Sequence, residues 1–259
     1  MIEVSGSRVS VTTSTLKAVF DNGLLISLSP RAGGPDLLSP PAAQTSALSL
    51  IFPNGQHVDL QPGRDTQITT RRLSDHAAEY RFHGWSADGV LRISHCPETG
   101  DLLVEPSAYS NRMGLVACRW TIPAIAPDLR LIAPFFQGVN LEMADPLIRD
   151  SHWQWPHMWE AGLAILQGKS HGFSVHVRDT QYRPKGLKVG TKASANSLGL
   201  DTEAFGPIDQ NRAAGGLVWR INVHGGDWRE PAGRYRAWLC SAYGLAARIA
   251  SRPAWLGEI

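Results

Sequence analysis

The 259-residue chain has few of the features that mark several common classes of protein. Its three cysteines, Cys96, Cys118 and Cys240, lie far apart and form no CxxC pair, which argues against a cysteine zinc site and a disulfide framework. We expect them to be buried free thiols in a reducing compartment. No apolar run approaches about 18 residues, and the polar N-terminus lacks the apolar core of a signal peptide. The sequence therefore predicts no membrane span and a cytoplasmic location.

Charge and nucleotide motifs are equally sparse. The formal net charge is +2, and basic residues are interspersed with acidic ones instead of forming one basic face, so we expect no nucleic-acid partner. The glycine-rich phosphate-binding motifs and the GxSxG nucleophile elbow are absent. The sequence thus predicts neither a nucleotide nor any other cofactor.

The chain is rich in short runs whose apolar residues recur with a period of two. More than a dozen such runs alternate with turn residues, among them Asp21-Asn22-Gly23 and Glu98-Thr99-Gly100. Asp88-Gly89 is typical of a hairpin turn. Many short strands with almost no helical pattern predict an all-β fold. We expect a large antiparallel two-sheet sandwich over residues 1–226.

Residues 227–259 break this pattern and predict one amphipathic helix followed by the start of a linker. The capping-box pair Asp227 and Glu230 favours a helix start, and Arg252-Pro253 favours a stop. The apolar positions keep the spacing of one helical face, with Gly244 inside the helix. They are Tyr235, Trp238, Leu239, Ala242, Leu245, Ala246 and Ile249.

Residues 151–160, SHWQWPHMWE, concentrate three tryptophans and two histidines in ten positions. His152 and His157 stand five apart around Pro156, which disfavours the helix that would align two metal ligands. Glu160 follows His157 at the spacing of a helical turn, but no third histidine or cysteine completes a site. We therefore predict no metal here.

Two interpretations of the tryptophans stay open. A buried indole removes roughly 150–250 Å² from water, which favours the core. In a strand, however, Trp153 and Trp155 share one face and His152 and Gln154 take the other, while Trp159 follows the proline. Three indoles at a strand end also suit the wall of a ligand cleft. Asp179, at the end of a later strand, is either a turn residue with an ion-pair partner or an acceptor for sugar hydroxyls.

Parts of the second half resemble a known family. The segment SHWQWPHMWEAGLAILQGKSHGFSVHVRDTQYRPKGL is similar to galactose-mutarotase-like β-sandwiches found at the N-terminus of glycoside hydrolases. The earlier segment LRLIAPFFQGVNL resembles one of their strand pairs. GDWREPAGRYRAWLCSAYG, followed by RPAWL, resembles the helix leading into the catalytic (β/α)8 barrel of α-galactosidase or endo-α-N-acetylgalactosaminidase types.

The resemblance implies a galactose-mutarotase-like supersandwich that recognises carbohydrate or shapes the substrate site of a glycoside hydrolase. The hydrolytic carboxylates of those enzymes lie in the barrel, so we expect no hydrolysis by this chain alone. A saccharide is the implied ligand, and a (β/α)8 domain in cis or in trans is the implied partner. The implied saccharide contacts are His152, Trp153, Trp155, His157, Trp159, Glu160 and Asp179.

Two alternatives remain, an aldose 1-epimerase-type isomerase and a structural assembly domain. In the epimerases that the chain resembles, a histidine acid and a late glutamate base act on the sugar. Among the late glutamates, Glu203 is expected in a loop, Glu230 at the helix start and Glu258 at the terminus, so none matches that base well. If the chain is active, the candidates are Glu160 or Glu203 with His157 or His176.

Overall fold

The computed structural model describes residues 1–41, 45–63, 65–136, 138–192, 195–204 and 206–245. Within these ranges the chain forms strands, two short 3-10 turns at Pro53–Gly55 and Ile208–Gln210, and the helix α1 (Arg229–Tyr243). The strands are β1 (Ile2–Ser5), β2 (Arg8–Thr12), β3 (Leu16–Asp21), β4 (Leu24–Pro30), β5 (Leu48–Ile51), β6 (His57–Leu60), β7 (Thr66–Ser74), β8 (Ala77–Gly84), β9 (Ala87–His95), β10 (Leu102–Ser110), β11 (Ala117–Ile125), β12 (Arg130–Ala133), β13 (Val139–Leu141), β14 (His152–Trp155), β15 (Leu163–Gln167), β16 (His171–Val177), β17 (Lys185–Lys192), β18 (Ala195–Glu203), β19 (Ala213–Ala214) and β20 (Trp219–Gly225).

The strands pair antiparallel in three sheets. The four-stranded sheet has the order β1-β2-β3-β4, and the six-stranded sheet has the order β14-β17-β18-β11-β5-β6. The ten-stranded sheet runs β13-β12-β15-β16-β20-β10-β9-β8-β7, with β19 beside β10. This architecture confirms the prediction of a large all-β antiparallel sandwich with one helix near the C-terminus of the described chain.

The two larger sheets face each other across the main core. Trp219 of the ten-stranded sheet donates its indole N–H to Thr202 Oγ1 of the six-stranded sheet at 3.2 Å. Trp120 of β11 is fully buried and stacks on Phe20 of the four-stranded sheet, with ring centroids 6.4 Å apart. Large aromatic side chains therefore join all three sheets, because each ring removes much apolar area from water.

Two predicted turns have different outcomes. Asn22 and Gly23 connect β3 to β4 with positive φ angles of 48° and 83°, as the turn residues predict. Asp88-Gly89, in contrast, lies inside β9, and the chain reverses at Trp85-Ser86. The prediction there was wrong because Gly89 serves packing: a Cβ at this position would lie 2.4 Å from Leu48 Cδ2.

The helix packs its apolar stripe on the ten-stranded sheet. Tyr235 is buried against Leu163 and Ile165 of β15, with Trp238 and Leu239 beside it. Gly244 follows the last helical residue in the left-handed conformation, φ 61°, so it ends α1 instead of lying within it. The predicted continuation through Ala246 and Ile249, the Arg252-Pro253 stop and the linker lie outside the described residues.

The two residues of the predicted capping box act separately. The Asp227 carboxylate accepts the backbone N–H of Arg229 at 2.9 Å, which supports the helix start. The Glu230 carboxylate forms an ion pair with Arg234 at 3.0 Å. The helix therefore begins near the predicted position, where Asp227 accepts a backbone N–H and Glu230 pairs with Arg234 instead.

The cysteines are free thiols but not all buried. Cys118 lies in the core, whereas Cys96 and Cys240 are half-buried, which corrects the expectation for these two. The Cys96 thiol donates to Glu98 Oε2 at 2.9 Å at the turn between β9 and β10. No helix within the described ranges is long and apolar enough to span a membrane.

Replacing Trp159 tests whether it belongs to the core. Its side chain is 0% exposed, stacks on Trp219 with centroids 6.3 Å apart, and donates to the Leu163 carbonyl at 2.9 Å. We expect Trp159→Ala to lower the free energy of unfolding by about 3–5 kcal/mol in urea titrations. Trp85→Ala, at a ring that is 90% exposed, is the control and should change it by about 0.5 kcal/mol or less. Equal effects of the two changes would contradict the core assignment.

Candidate functional site

Strand β14 divides the aromatic segment between two faces of the six-stranded sheet. It pairs with β17 so that His152 lies opposite Lys188 and Trp155 lies opposite Lys185. His152 and Gln154 point to the outer face of the sheet, whereas Trp153 packs into the core. The predicted alternation is therefore present, and it sends the candidate residues to different surroundings.

Two of the three tryptophans belong to the core. Trp153 is buried and stacks on Phe135 with ring centroids 4.4 Å apart, and Trp159 stacks on Trp219. Neither ring presents a free face in this structure. Of the two interpretations that the sequence leaves open, core packing describes Trp153 and Trp159.

Trp155 lines an aromatic pocket of about 310 Å³ beside the helix. We define the aromatic pocket by Trp155, Tyr182, Tyr235, Trp238 and Tyr243, together with Glu160 and Asp179 at its polar positions. The pocket lies on the side of the six-stranded sheet opposite His152. It thus brings three of the predicted site residues, Trp155, Glu160 and Asp179, to one place.

The main side chains of the aromatic pocket already contact other residues of the chain. The ammonium of Lys185 lies 3.7 Å from the centroid of the Trp155 ring, and Tyr182 stacks on the same indole. Lys185 Nζ also lies 3.3 Å from Asp179 Oδ2, with both side chains buried. Asp179 accepts the backbone N–H groups of Gln181 and Arg183 as well, so its contacts are those of a strand-end turn residue.

The opposite face carries a buried network of charges centred on Asp201 of β18. Arg119 of β11 donates to the Asp201 carboxylate through Nε at 2.5 Å and Nη2 at 2.7 Å. His152 Nε2 lies 2.9 Å from the same carboxylate. The Asp201 side chain is only 1% exposed, and paired bonds from a guanidinium are the strong way to hold such a group.

A polar groove of about 370 Å³ opens on this face beside the network. Arg119 and Lys188 supply donors to it, and Asp59 supplies a carboxylate. His152, Gln154 and Glu203 continue the same face along β14 and β18. The residues that line the groove are Thr45, Ser46, Ser49, Ile51, His57, Asp59, Gln61, Arg119, Thr121, Pro123, Ala124, Asp150, Lys188, Gly190, Ala195, Ser197 and Gly199.

Glycines on this face make room for the network. A Cβ on Gly199 would lie 2.7 Å from Arg119 Cδ, and one on Gly186 would lie 2.6 Å from His152 Nε2. A Cβ on Gly190, further along β17, would lie 2.6 Å from Ser197 Oγ. Because glycine has no side chain, the side chains of Arg119 and His152 can cross the neighbouring strands and reach Asp201.

The network separates the pKa values of two carboxyls on β18. Burial alone would raise the pKa of Asp201, but the hydrogen bonds from Arg119 and His152 hold it below its ordinary value. Glu203, two residues later, has its pKa raised by burial and by the negative charge of Asp201. Gln154 Nε2 lies 3.4 Å from Glu203 Oε1. One carboxyl is thus a fixed anion, and its neighbour is the easier of the two to protonate.

Several residues of this face escaped the sequence analysis. Arg119 and Asp201 each stand between two core residues of a strand, which predicts that they face outward but does not reveal that they meet. Glu203, expected in a loop, is the last residue of β18. Of the remaining candidates, His157 is exposed on the turn after β14, and His176 lies on the ten-stranded sheet.

No cluster of three or more His, Cys, Asp or Glu able to hold a metal occurs in the part of the chain that the structure describes.

Known structures share the fold. No protein-family model and no curated protein matches the chain. An α-N-acetylgalactosaminidase from Bifidobacterium bifidum, solved in complex with GalNAc, aligns over 93% of this chain and 39% of its own, with 12% identity and a TM-score of 0.57. An α-galactosidase from Lactobacillus brevis aligns over 85% of this chain and 39% of its own, with 11% identity and a TM-score of 0.51.

A shorter protein aligns over its whole length. A putative aldose 1-epimerase from Escherichia coli K12 is covered to 100%, with 85% of this chain aligned, 12% identity and a TM-score of 0.51. The chain therefore has the galactose-mutarotase-like fold, as its resemblance implied. It spans about two fifths of the length of the two glycosidases.

The charge of Asp201 is expected to stabilise the fold above acidic pH. Because the folded-state pKa is lowered, this contribution is fully present above the unfolded value of about 3.9 and is lost as the pH falls through the folded value. Asp201→Asn leaves the half-buried Arg119 without its counter-ion and should cost about 3–5 kcal/mol at pH 7. In urea titrations, the free energy of unfolding of this variant should fall less between pH 7 and pH 3 than that of the unsubstituted chain.

Asp75→Asn is the matched control, because Asp75 forms an ion pair with Arg72 at the surface and its own side chain is 80% exposed. That exposed pair should contribute about 1 kcal/mol or less. An Asp201→Asn variant as stable as Asp75→Asn, with an unchanged pH profile, would contradict the buried network.

Proposed function

We propose that the chain is a carbohydrate-recognition domain that binds a saccharide along the polar groove and the adjoining face of His152. The observation that carries the proposal is the Asp201 network, which fixes Arg119 and His152 across the outer face of the six-stranded sheet. A buried charge held by two partners costs desolvation energy, and fixed polar groups beside a groove are typical of ligand sites.

The chemistry of the groove suits a ligand with many hydroxyl groups. Each sugar hydroxyl both donates and accepts a hydrogen bond, so recognition needs donors and acceptors side by side. Arg119 and Lys188 are donors, Asp59 is an acceptor, and Glu203 adds a carboxyl further along the face. The aromatic pocket is less suited, because Lys185 and Tyr182 already cover the ring of Trp155.

The fold comparisons support a galactose-type sugar as the first ligand to test. The aligned structures are named as an α-galactosidase, an α-N-acetylgalactosaminidase and a putative aldose 1-epimerase. Because the chain spans about two fifths of the glycosidases, we also propose that it shapes a substrate site beside a (β/α)8 catalytic domain, in cis or in trans.

Isothermal titration with galactose, GalNAc and galacto-oligosaccharides tests recognition. His152→Ala should weaken the binding of the best ligand at least about tenfold, because it removes a donor beside the groove and one partner of Asp201. His157→Ala is the matched control, since His157 is exposed on the adjoining turn, and it should leave the affinity unchanged. Absence of binding to every sugar at millimolar concentration, or equal affinities of the two variants, would overturn the proposal and favour a structural assembly domain.

A second candidate function, aldose 1-epimerase chemistry, is favoured by Glu203. This carboxyl has a raised pKa and lies on the same face as His152, whose imidazole is held by Asp201. The complete coverage of the putative E. coli epimerase also supports a reaction within a domain of this size. These residues replace the earlier candidate partners Glu160, His157 and His176, which lie elsewhere.

The proposed reaction needs one base and one acid. Glu203 would take the proton from the anomeric hydroxyl while His152 gives a proton to the ring oxygen, and the bond between C1 and the ring oxygen breaks. Rotation about C1–C2 followed by the reverse proton transfers closes the ring as the other anomer. Because Nε2 of His152 contacts Asp201, Nδ1 is the nitrogen left to face the sugar.

A polarimetric assay of mutarotation separates the two functions. If the chain is an epimerase, Glu203→Gln should lower the rate by about 100-fold or more, because the base is lost while the shape is kept. Glu160→Gln, at the aromatic pocket, is the control and should retain the rate. Saccharide binding without any acceleration over the buffer rate would leave recognition as the function and exclude the epimerase.

A further inference from the structure

A cavity of about 550 Å³ lies between helix α1 and the outer face of the ten-stranded sheet. Ser174, His176 and Arg178 form its floor at alternate positions along β16 and its continuation, and Arg234 reaches it from the helix. The complete lining is Glu98, Thr99, Asp101, Ser174, His176, Arg178, Pro231, Arg234, Ala237, Trp238 and Ser241. This cavity is separate from the polar groove, which lies on the other large sheet.

Buried polar atoms without partners gather around this cavity. Among the described residues, His176 Nε2, Arg178 Nε and Arg234 Nη2 have no hydrogen-bond partner, and all three side chains line the cavity. His176 is only 7% exposed. Asn222 Oδ1, on the neighbouring strand, is also unpartnered. An unpaired buried polar group costs roughly 1–3 kcal/mol, so we expect water or a ligand to contact these atoms.

The arginines around these atoms differ in their ion pairs. Arg220 Nη1 lies 2.8 Å from Asp101 Oδ2, and Arg234 Nε lies 3.0 Å from Glu230 Oε1. Arg178, in contrast, has no ion pair within the described ranges. Burial holds the pKa of His176 below its ordinary value, and although Asp101 opposes this effect, the charges of Arg178, Arg220 and Arg234 lower it further.

The two carboxylates that line the cavity have partners of their own. Asp101 accepts hydrogen bonds from Arg220 and from Asn222 Nδ2, the latter at 2.7 Å. Glu98 is exposed at the rim, where it accepts the Cys96 thiol. The free N–H groups of Arg178 and Arg234 therefore remain available to an anion.

We propose that this cavity binds an oxyanion of the phosphate class, held by Arg178 and Arg234 with help from the Ser174 and Ser241 hydroxyls. Water would satisfy single donors but would leave the guanidinium of Arg178 without a counter-ion, whereas a tetrahedral oxyanion accepts from several donors at once. The cavity is wide enough for inorganic phosphate or for the phosphate group of a monoester. The proposal does not depend on saccharide binding in the polar groove.

Titration calorimetry of the whole chain with inorganic phosphate and, separately, with glucose 6-phosphate tests this site at constant ionic strength. Arg178→Gln and Arg234→Gln should each weaken binding at least about tenfold, because each removes a charge-assisted hydrogen bond. Arg236→Gln is the matched control on the same helix, since Arg236 is exposed and does not line the cavity. Tighter binding of the ester would assign the site to a phosphorylated metabolite, and tighter binding of phosphate to the free ion.

The proposal is overturned if the unsubstituted chain binds neither inorganic phosphate nor glucose 6-phosphate at millimolar concentration. It is also overturned if Arg236→Gln weakens binding as much as Arg178→Gln and Arg234→Gln do, because the effect would then reflect net charge. Thermal unfolding without phosphate shows whether each variant is folded, so that loss of binding is not confused with loss of structure.

Discussion

A single buried carboxylate links three strands of the six-stranded sheet through side-chain contacts. Asp201 lies near the end of β18 with almost no exposure, and such a charge is tolerated only when its surroundings neutralise it. Arg119 and His152 meet this need from the strands β11 and β14, which are not adjacent to each other in the sheet order. Glycines at 186 and 199 give these two side chains the space to cross the sheet. The contacts of Asp201 therefore depend on the glycines and on the strand order that brings Arg119 and His152 near it.

The same constraint gives the sheet two chemically different faces. On the inner side, apolar side chains such as Trp120 and Leu200 fill the core between the two large sheets. On the outer side, the neighbours of these residues in sequence, Arg119 and Asp201, form the polar network. A groove beside fixed donors and carboxyls follows from this alternation, and it is the basis for proposing saccharide recognition.

Much of the fold could be predicted because it depends on local pattern. The period-two runs indicate strands, and the stripe through Tyr235 and Trp238 indicates the helix. The end of the helix at Gly244 and the packing role of Gly89 could not be predicted. The sequence alone does not show whether a glycine is needed for a turn, a helix cap or a close contact. Strand pairing depends on contacts between residues far apart in the chain, and these leave no local signal.

The candidate site was only partly predictable for the same reason. The histidines and tryptophans of residues 151–160 stood out by composition, but the alternation of β14 sends Trp153 to the core and His152 to the polar face. Arg119 and Asp201 lie 82 positions apart in sequence, so only the register of β11 with β18 reveals that they meet. Composition thus drew attention to β14, and the pairing of strands shows which of its side chains meet the polar network.

The most direct test of the account is to observe which face responds to a sugar. In a nuclear magnetic resonance titration with the tightest-binding saccharide, the imidazole nitrogens of His152 should shift, while the indole N–H of Trp155 should not. That result would place the ligand at the polar groove. Shifts confined to Trp155 would place it in the aromatic pocket and contradict the central claim.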